Sequence, residues 1–76
     1  MEIVYARTLK KCYDQDMRSL ANQNKKYIPE GEIVVVTDSY RNFYGHYIDV
    51  HYDGYVFSLK PSDVEIIKSS ELEKLI

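Results

Sequence analysis

Apolar and polar positions alternate along most of this chain, and the period is that of a strand rather than a helix. The clearest run is His46-Tyr47-Ile48-Asp49-Val50-His51-Tyr52, which Asp53-Gly54 interrupts before Tyr55-Val56-Phe57-Ser58-Leu59 resumes the alternation. An Asp-Gly step between two such runs favours a two-residue type I′ turn, whose twist matches the strands it joins. With Asp53 and Gly54 as the loop, Tyr52 faces Tyr55, Val50 faces Phe57 and Ile48 faces Leu59, and these six make the core face. The other face carries Tyr47 opposite Lys60, Asp49 opposite Ser58 and His51 opposite Val56, a mostly polar set.

Upstream, Glu32 to Thr37 is a β-branched run between the punctuation of Pro29-Glu30-Gly31 and the turn-forming Asp38-Ser39. It predicts a central strand, with Ile33 and Val35 on one face, Val34 and Val36 on the other, and cover on both faces along part of its length. Residues 38–45, DSYRNFYG, follow as a loop. Ile3 to Leu9 predicts the first strand and Val64 to Ile67 the last, entered through a Lys60-Pro61-Ser62-Asp63 corner where Pro fixes φ. Between residues 10 and 27, Asp14 to Leu20 suits one or two helical turns and Asn22 to Lys26 a polar loop. Near the end, Ser70 and Glu73 form a capping box that predicts a short helix over residues 69–76.

At 76 residues this is one domain with a modest core, and its balance of apolar and charged residues is that of a chain that folds alone. The formal net charge is -2, so no overall positive field draws in duplex DNA. A lone cysteine, Cys12, allows no internal disulfide, and the N-terminal residues lack a signal-peptide pattern, so a cytoplasmic protein is expected. Abundant Tyr, Ile, Lys and Asn also suggest an AT-rich genome, that of a low-GC bacterium or its phage.

The expected fold is mainly β: a half-open barrel of five short strands with a long first connection, a tight hairpin and a Pro-Ser-Asp corner. That order resembles the SH3-like barrel. Tyr27-Ile28-Pro29-Glu30-Gly31-Glu32 stands where that family has its diverging turn, Asp53-Gly54 where it has its distal turn, and Pro61-Ser62-Asp63-Val64 where it has the corner before its last strand. The resemblance implies a barrel over residues 1–68, with the short helix of 69–76 packed on it or extending from it. It departs from the polyproline-binding type: there is no Trp, the first strand reads Val4-Tyr5-Ala6-Arg7 without a second tyrosine close behind, and Asp63 stands where a groove-lining tyrosine is expected. The bacterial or phage accessory type fits better.

Catalysis finds little support. Alternation separates His46 from Asp49 and His51, which leaves too few ligands on one face for a metal, and Cys12 has only Lys10 and Lys11 nearby and no histidine as a base. No cofactor is implied. Two binding functions remain. The first is protein recognition by Tyr40, Arg41, Phe43, Tyr44 and Tyr47, because Tyr and Arg anchor interfaces with large area at low rotamer cost. The alternative is single-stranded nucleic acid, with rings stacking on bases while Arg7, Lys10, Lys11, Lys25, Lys26 and Arg41 follow the phosphates. Net charge ranks protein first. A third explanation gives those rings no partner, since a chain with two Phe and no Trp must fill much of its core with its eight Tyr. Neither the partner nor the oligomeric state follows from the sequence.

Overall fold

The computed structural model describes residues 3–67, and the helix expected at 69–76 lies outside them. The protein is mainly β. Five strands, β1 (Val4–Thr8), β4 (Ile33–Asn42), β5 (Gly45–Tyr52), β6 (Tyr55–Leu59) and β7 (Val64–Ile67), form one sheet in the order β6-β5-β4-β1-β7, every neighbouring pair antiparallel. A separate two-residue pair, β2 (Cys12–Tyr13) with β3 (Tyr27–Ile28), lies in the first connection, which also holds the short helix α1 (Leu20–Gln23).

The Asp-Gly hairpin has the expected register. Tyr52 pairs with Tyr55, Val50 with Phe57 and Ile48 with Leu59. Asp53 at φ 52° and Gly54 at φ 79° supply the two left-handed residues that a type I′ turn requires. Val50, Phe57, Ile48 and Leu59 are buried, and Tyr52 and Tyr55 are half-buried against them. The β5–β6 ladder ends at Ile48–Leu59, so Lys60 does not pair with Tyr47; it precedes a 3₁₀ turn, Pro61–Asp63, at the expected corner.

β4 departs from expectation most. Residues 38–45 are not a loop: β4 runs on to Asn42 and turns back through Phe43 and Tyr44, with Asn42 paired to Gly45. The register shifts between Val36 and Asp38, so that Val36 pairs with Val50 and Asp38 with Asp49. Thr37 is the extra residue of this bulge, and one extra residue exchanges the two faces of everything beyond it. Val34 and Val36 face the core, whereas Tyr40 pairs with Tyr47 on the opposite face. Ahead of the bulge, Ile33 is exposed and Val35 half-buried, so the cover expected on both faces is partial.

The first connection is also rearranged. The helix starts at Leu20, not within residues 14–19, and takes in Asn22 and Gln23, expected in a loop. Ser19 is its N-cap, its Oγ accepting from the Asn22 backbone N at 3.2 Å. Two buried polar side chains organise the segment. Thr8 Oγ1 donates to the Pro29 carbonyl at 2.7 Å and accepts from the Glu32 N at 2.9 Å, tying β1 to the 29–32 turn, where Gly31 adopts φ 83°. The Asp14 carboxylate accepts from the backbone N of Asp16 at 2.9 Å and of Ser58 at 3.0 Å, and from the Ser19 hydroxyl. Gln15 N adds a bond to the Ser58 carbonyl at 2.8 Å, so residues 14–15 take up both backbone groups of Ser58 on β6. Ala21 then joins the core, and the connection thereby rounds the β6 edge.

Candidate functional site

The bulge at Thr37 creates a groove on the outer face of the sheet. Because Tyr40 and Tyr47 pair across β4 and β5 on the outer face, their rings stack at 5.9 Å between centroids with planes 25° apart. Beside them, residues 15–18 of the first connection rise as a wall. The groove between encloses about 300 Å³ and is lined by Gln15, Asp16, Met17 and Arg18 on one side and by Tyr40, Asn42, Tyr44, Tyr47 and Ser58 on the other.

A polar relay fixes the floor. Tyr40 Oη donates to Ser58 Oγ at 3.3 Å, and Ser58 Oγ donates to Asp49 Oδ1 at 2.8 Å. The same Ser58 is held through its backbone by Asp14 and Gln15, so floor and wall share one anchoring residue. Asp16 Oδ1 accepts from the Arg18 backbone N at 3.0 Å, which shapes the wall. The groove therefore offers aromatic area with polar tips already oriented, on strands rather than on a free loop.

At the end of the hairpin, Phe43 is 97% and Tyr44 84% exposed, their rings edge to face at 5.9 Å. Asn42 Oδ1 accepts from the Tyr44 backbone N at 2.8 Å and closes the turn as an Asx motif. Of the five residues expected to contact a protein, Tyr40, Tyr44 and Tyr47 come together in the groove and Phe43 stands at its tip. Arg41 does not join them: alternation along β4 puts it on the opposite face, paired with His46. Arg18 is the groove's cation instead. Sequence pattern alone gave no sign of Arg18 or Met17, because their place depends on how Asp14 pins the connection to β6.

His46 Nε2 and Ser39 Oγ lie 2.7 Å apart on that opposite face, away from Asp49, in keeping with the alternation that separates these groups.

Comparison with family models, curated proteins and solved structures returns no match.

The lysines and arginines considered for nucleic acid divide into two sets. Lys10 Nζ pairs with Asp63 Oδ1 at 3.2 Å, Arg7 stands on β1 between Ile33 and Glu65, and Arg41 is at the Phe43–Tyr44 hairpin. Lys11, Lys25 and Lys26, by contrast, gather around tyrosines near the Asp53–Gly54 end of β5. Lys11 Nζ lies 4.1 Å from the centroid of Tyr27 and 5.3 Å from that of Tyr13. Tyr13 beside it, with Tyr27, holds its pKa above the ordinary lysine range, outweighing the opposing effect of desolvation. Cys12 is buried with its thiol donating to the Lys10 carbonyl at 3.2 Å, and burial pushes that thiol's pKa up.

Proposed function

We propose that this chain is a small non-enzymatic interaction module of SH3-like type that engages a protein partner through the Tyr40–Tyr47 groove. One observation carries the proposal: a stacked tyrosine pair, oriented by Ser58 and Asp49, floors a groove of about 300 Å³ beside an exposed Phe-Tyr hairpin tip. Tyrosine at the centre of a concave patch buries large area at low entropic cost, and the energetically dominant residues of interfaces are of this type. Met17 supplies an apolar rim and Arg18 a cation with a planar donor fork. The carboxylates beside the groove are engaged as acceptors, Asp14 and Asp49 at Ser58 and Asp16 at Arg18, which supports a binding role over acid–base catalysis.

The SH3-like assignment draws support from the strand order β7-β1-β4-β5-β6, the long connection after β1 and the 3₁₀ corner before β7. Without tryptophan the groove suits a partner presenting its own apolar and polar side chains better than a bare polyproline helix. Composition supports a cytoplasmic accessory protein of a bacterium or its phage.

Photo-crosslinking tests the proposal. A photoreactive phenylalanine analogue at Tyr44 should capture one protein from a low-GC bacterial host lysate, whether or not nuclease is added. Tyr47→Ala and Arg18→Glu should each reduce that capture about tenfold or more, the range expected of central interface residues. Capture unchanged by either substitution would rule out the groove as the contact.

A further inference from the structure

A second surface, apart from the Tyr40–Tyr47 groove, lies at the other end of β5. Tyr13 and Tyr27 pair across β2 and β3 with ring centroids 5.9 Å apart, and they remain 51% and 45% exposed. Lys11 lies over both rings, and Lys26 lies 5.5 Å from the centroid of Tyr55. Between these pairs is a hollow of about 350 Å³, where Tyr27, Tyr52, Lys25 and Lys26 meet Pro29 and Asp53. Four tyrosines and three lysines thus form one continuous stripe.

Its charge decides what it fits. Among the described residues, the ion pair within 4.0 Å is Lys10 with Asp63, so Lys11, Lys25 and Lys26 rest on or beside rings without a carboxylate partner. Asp53 lines the hollow, and burial first, then the Glu32 and Asp53 charges, oppose the ionisation of Tyr52. The ammoniums still outnumber these two carboxylates, in a protein whose net charge is -2. Lysine over a tyrosine face is a weak contact in water, and a phosphate can draw the ammonium off the ring, leaving a face on which a base stacks. An acidic peptide would satisfy the lysines but leave the exposed rings without a planar partner.

We propose that this stripe binds a short segment of single-stranded nucleic acid, bases stacking on Tyr13 and Tyr27 and phosphates meeting Lys11, Lys25 and Lys26. Its position on β2, β3 and the β5–β6 turn leaves the Tyr40–Tyr47 groove free to hold a protein at the same time. The two sites are therefore lost to different substitutions.

Fluorescence anisotropy of labelled ten-residue oligodeoxyuridylate and oligouridylate tests it. Binding of either supports the proposal, and the tighter of the two names the sugar. With three phosphates neutralised, log Kd should rise with log salt at a slope of about 2, and Lys11→Gln or Lys26→Gln should each lower that slope by about 0.7. Tyr27→Leu, which keeps apolar bulk but removes the ring, should weaken binding roughly five- to a hundredfold while the melting curve stays cooperative; Tyr13→Leu replaces it if that variant does not fold. Tyr44→Ala should leave this affinity unchanged. An abasic oligomer or a polyglutamate peptide of equal charge binding as tightly as the oligonucleotide would overturn the proposal, as would affinity insensitive to Lys11→Gln and Lys26→Gln.

Discussion

β5 ends in two hairpins built from similar residues but put to different use. At its C-terminal end, Tyr52-Asp53-Gly54-Tyr55 turns through two left-handed residues and its flanking strands bury Val50 against Phe57. At its N-terminal end, Asn42-Phe43-Tyr44-Gly45 turns with an Asx bond, Gly45 taking φ 132°, and leaves both rings in water. The bulge at Thr37 makes the difference. It leaves β4 core-facing at Val34 and Val36 and turns Tyr40 outward, so a ring that would have faced the core joins Tyr47 on the floor of a groove instead. Aromatic content alone does not separate packing from recognition; the face on which register places each ring does.

Substitutions test that contrast in order of expected size. Phe57→Ala, which empties a fully buried ring site, should cost about 3–5 kcal/mol in urea denaturation. Asp14→Ala should cost roughly 1–3 kcal/mol, because the Ser58 backbone N and the Ser19 hydroxyl lose their acceptor. That variant should also lose groove binding more than its stability alone explains, since the wall of residues 15–18 hangs from this carboxylate. Gly54→Ala forces a Cβ into φ 79° and should cost about 1–2 kcal/mol, detectable as a lower denaturant midpoint with unchanged slope. If Gly54→Ala is neutral, the left-handed turn is not what fixes the register.

A smaller effect depends on pH. Burial and the nearby Asp63 charge raise the Cys12 thiol above its ordinary value in the folded state. A raised folded pKa gives stability that is fully present below the unfolded value, about 8.5, and is lost as pH rises through the folded one. The urea midpoint should therefore fall on the alkaline side, and fall less in Cys12→Ala. Equal slopes for the two proteins would refute this coupling.

The Asp53–Gly54 end was legible in the sequence because everything that fixes it is local: turn chemistry within two residues and a strict alternation on each side. β1, the 61–63 corner and β7 were legible for the same reason. The Phe43–Tyr44 end was not, because a bulge depends on how β4 pairs with both β1 and β5, and Asp38-Ser39 carries the same residues that ordinarily begin a turn. Tyr40, Tyr44 and Tyr47 could be picked out as outward-facing rings, but Arg41 was grouped with them when alternation beyond the bulge sends it to the other face. Helix α1 was displaced because its stability comes from Asp14 and Ala21, whose partners on β6 and in the core are distant in sequence. Buried Thr8 and Asp14 left no local signature, since a Thr in a strand and an Asp in a polar connection are ordinary surface residues until their partners arrive.

The contrast between core-packed strands at the Asp53–Gly54 end of β5 and solvent-exposed rings at the Phe43–Tyr44 end is tested most directly by equilibrium urea denaturation of Phe43→Ser/Tyr44→Ala beside Phe57→Ala. The exposed pair should change stability by no more than about 0.5 kcal/mol, the range of surface substitutions, while Phe57→Ala loses several times as much. Comparable losses in both would mean that the hairpin tip belongs to the core and that the groove beside it is not a binding surface.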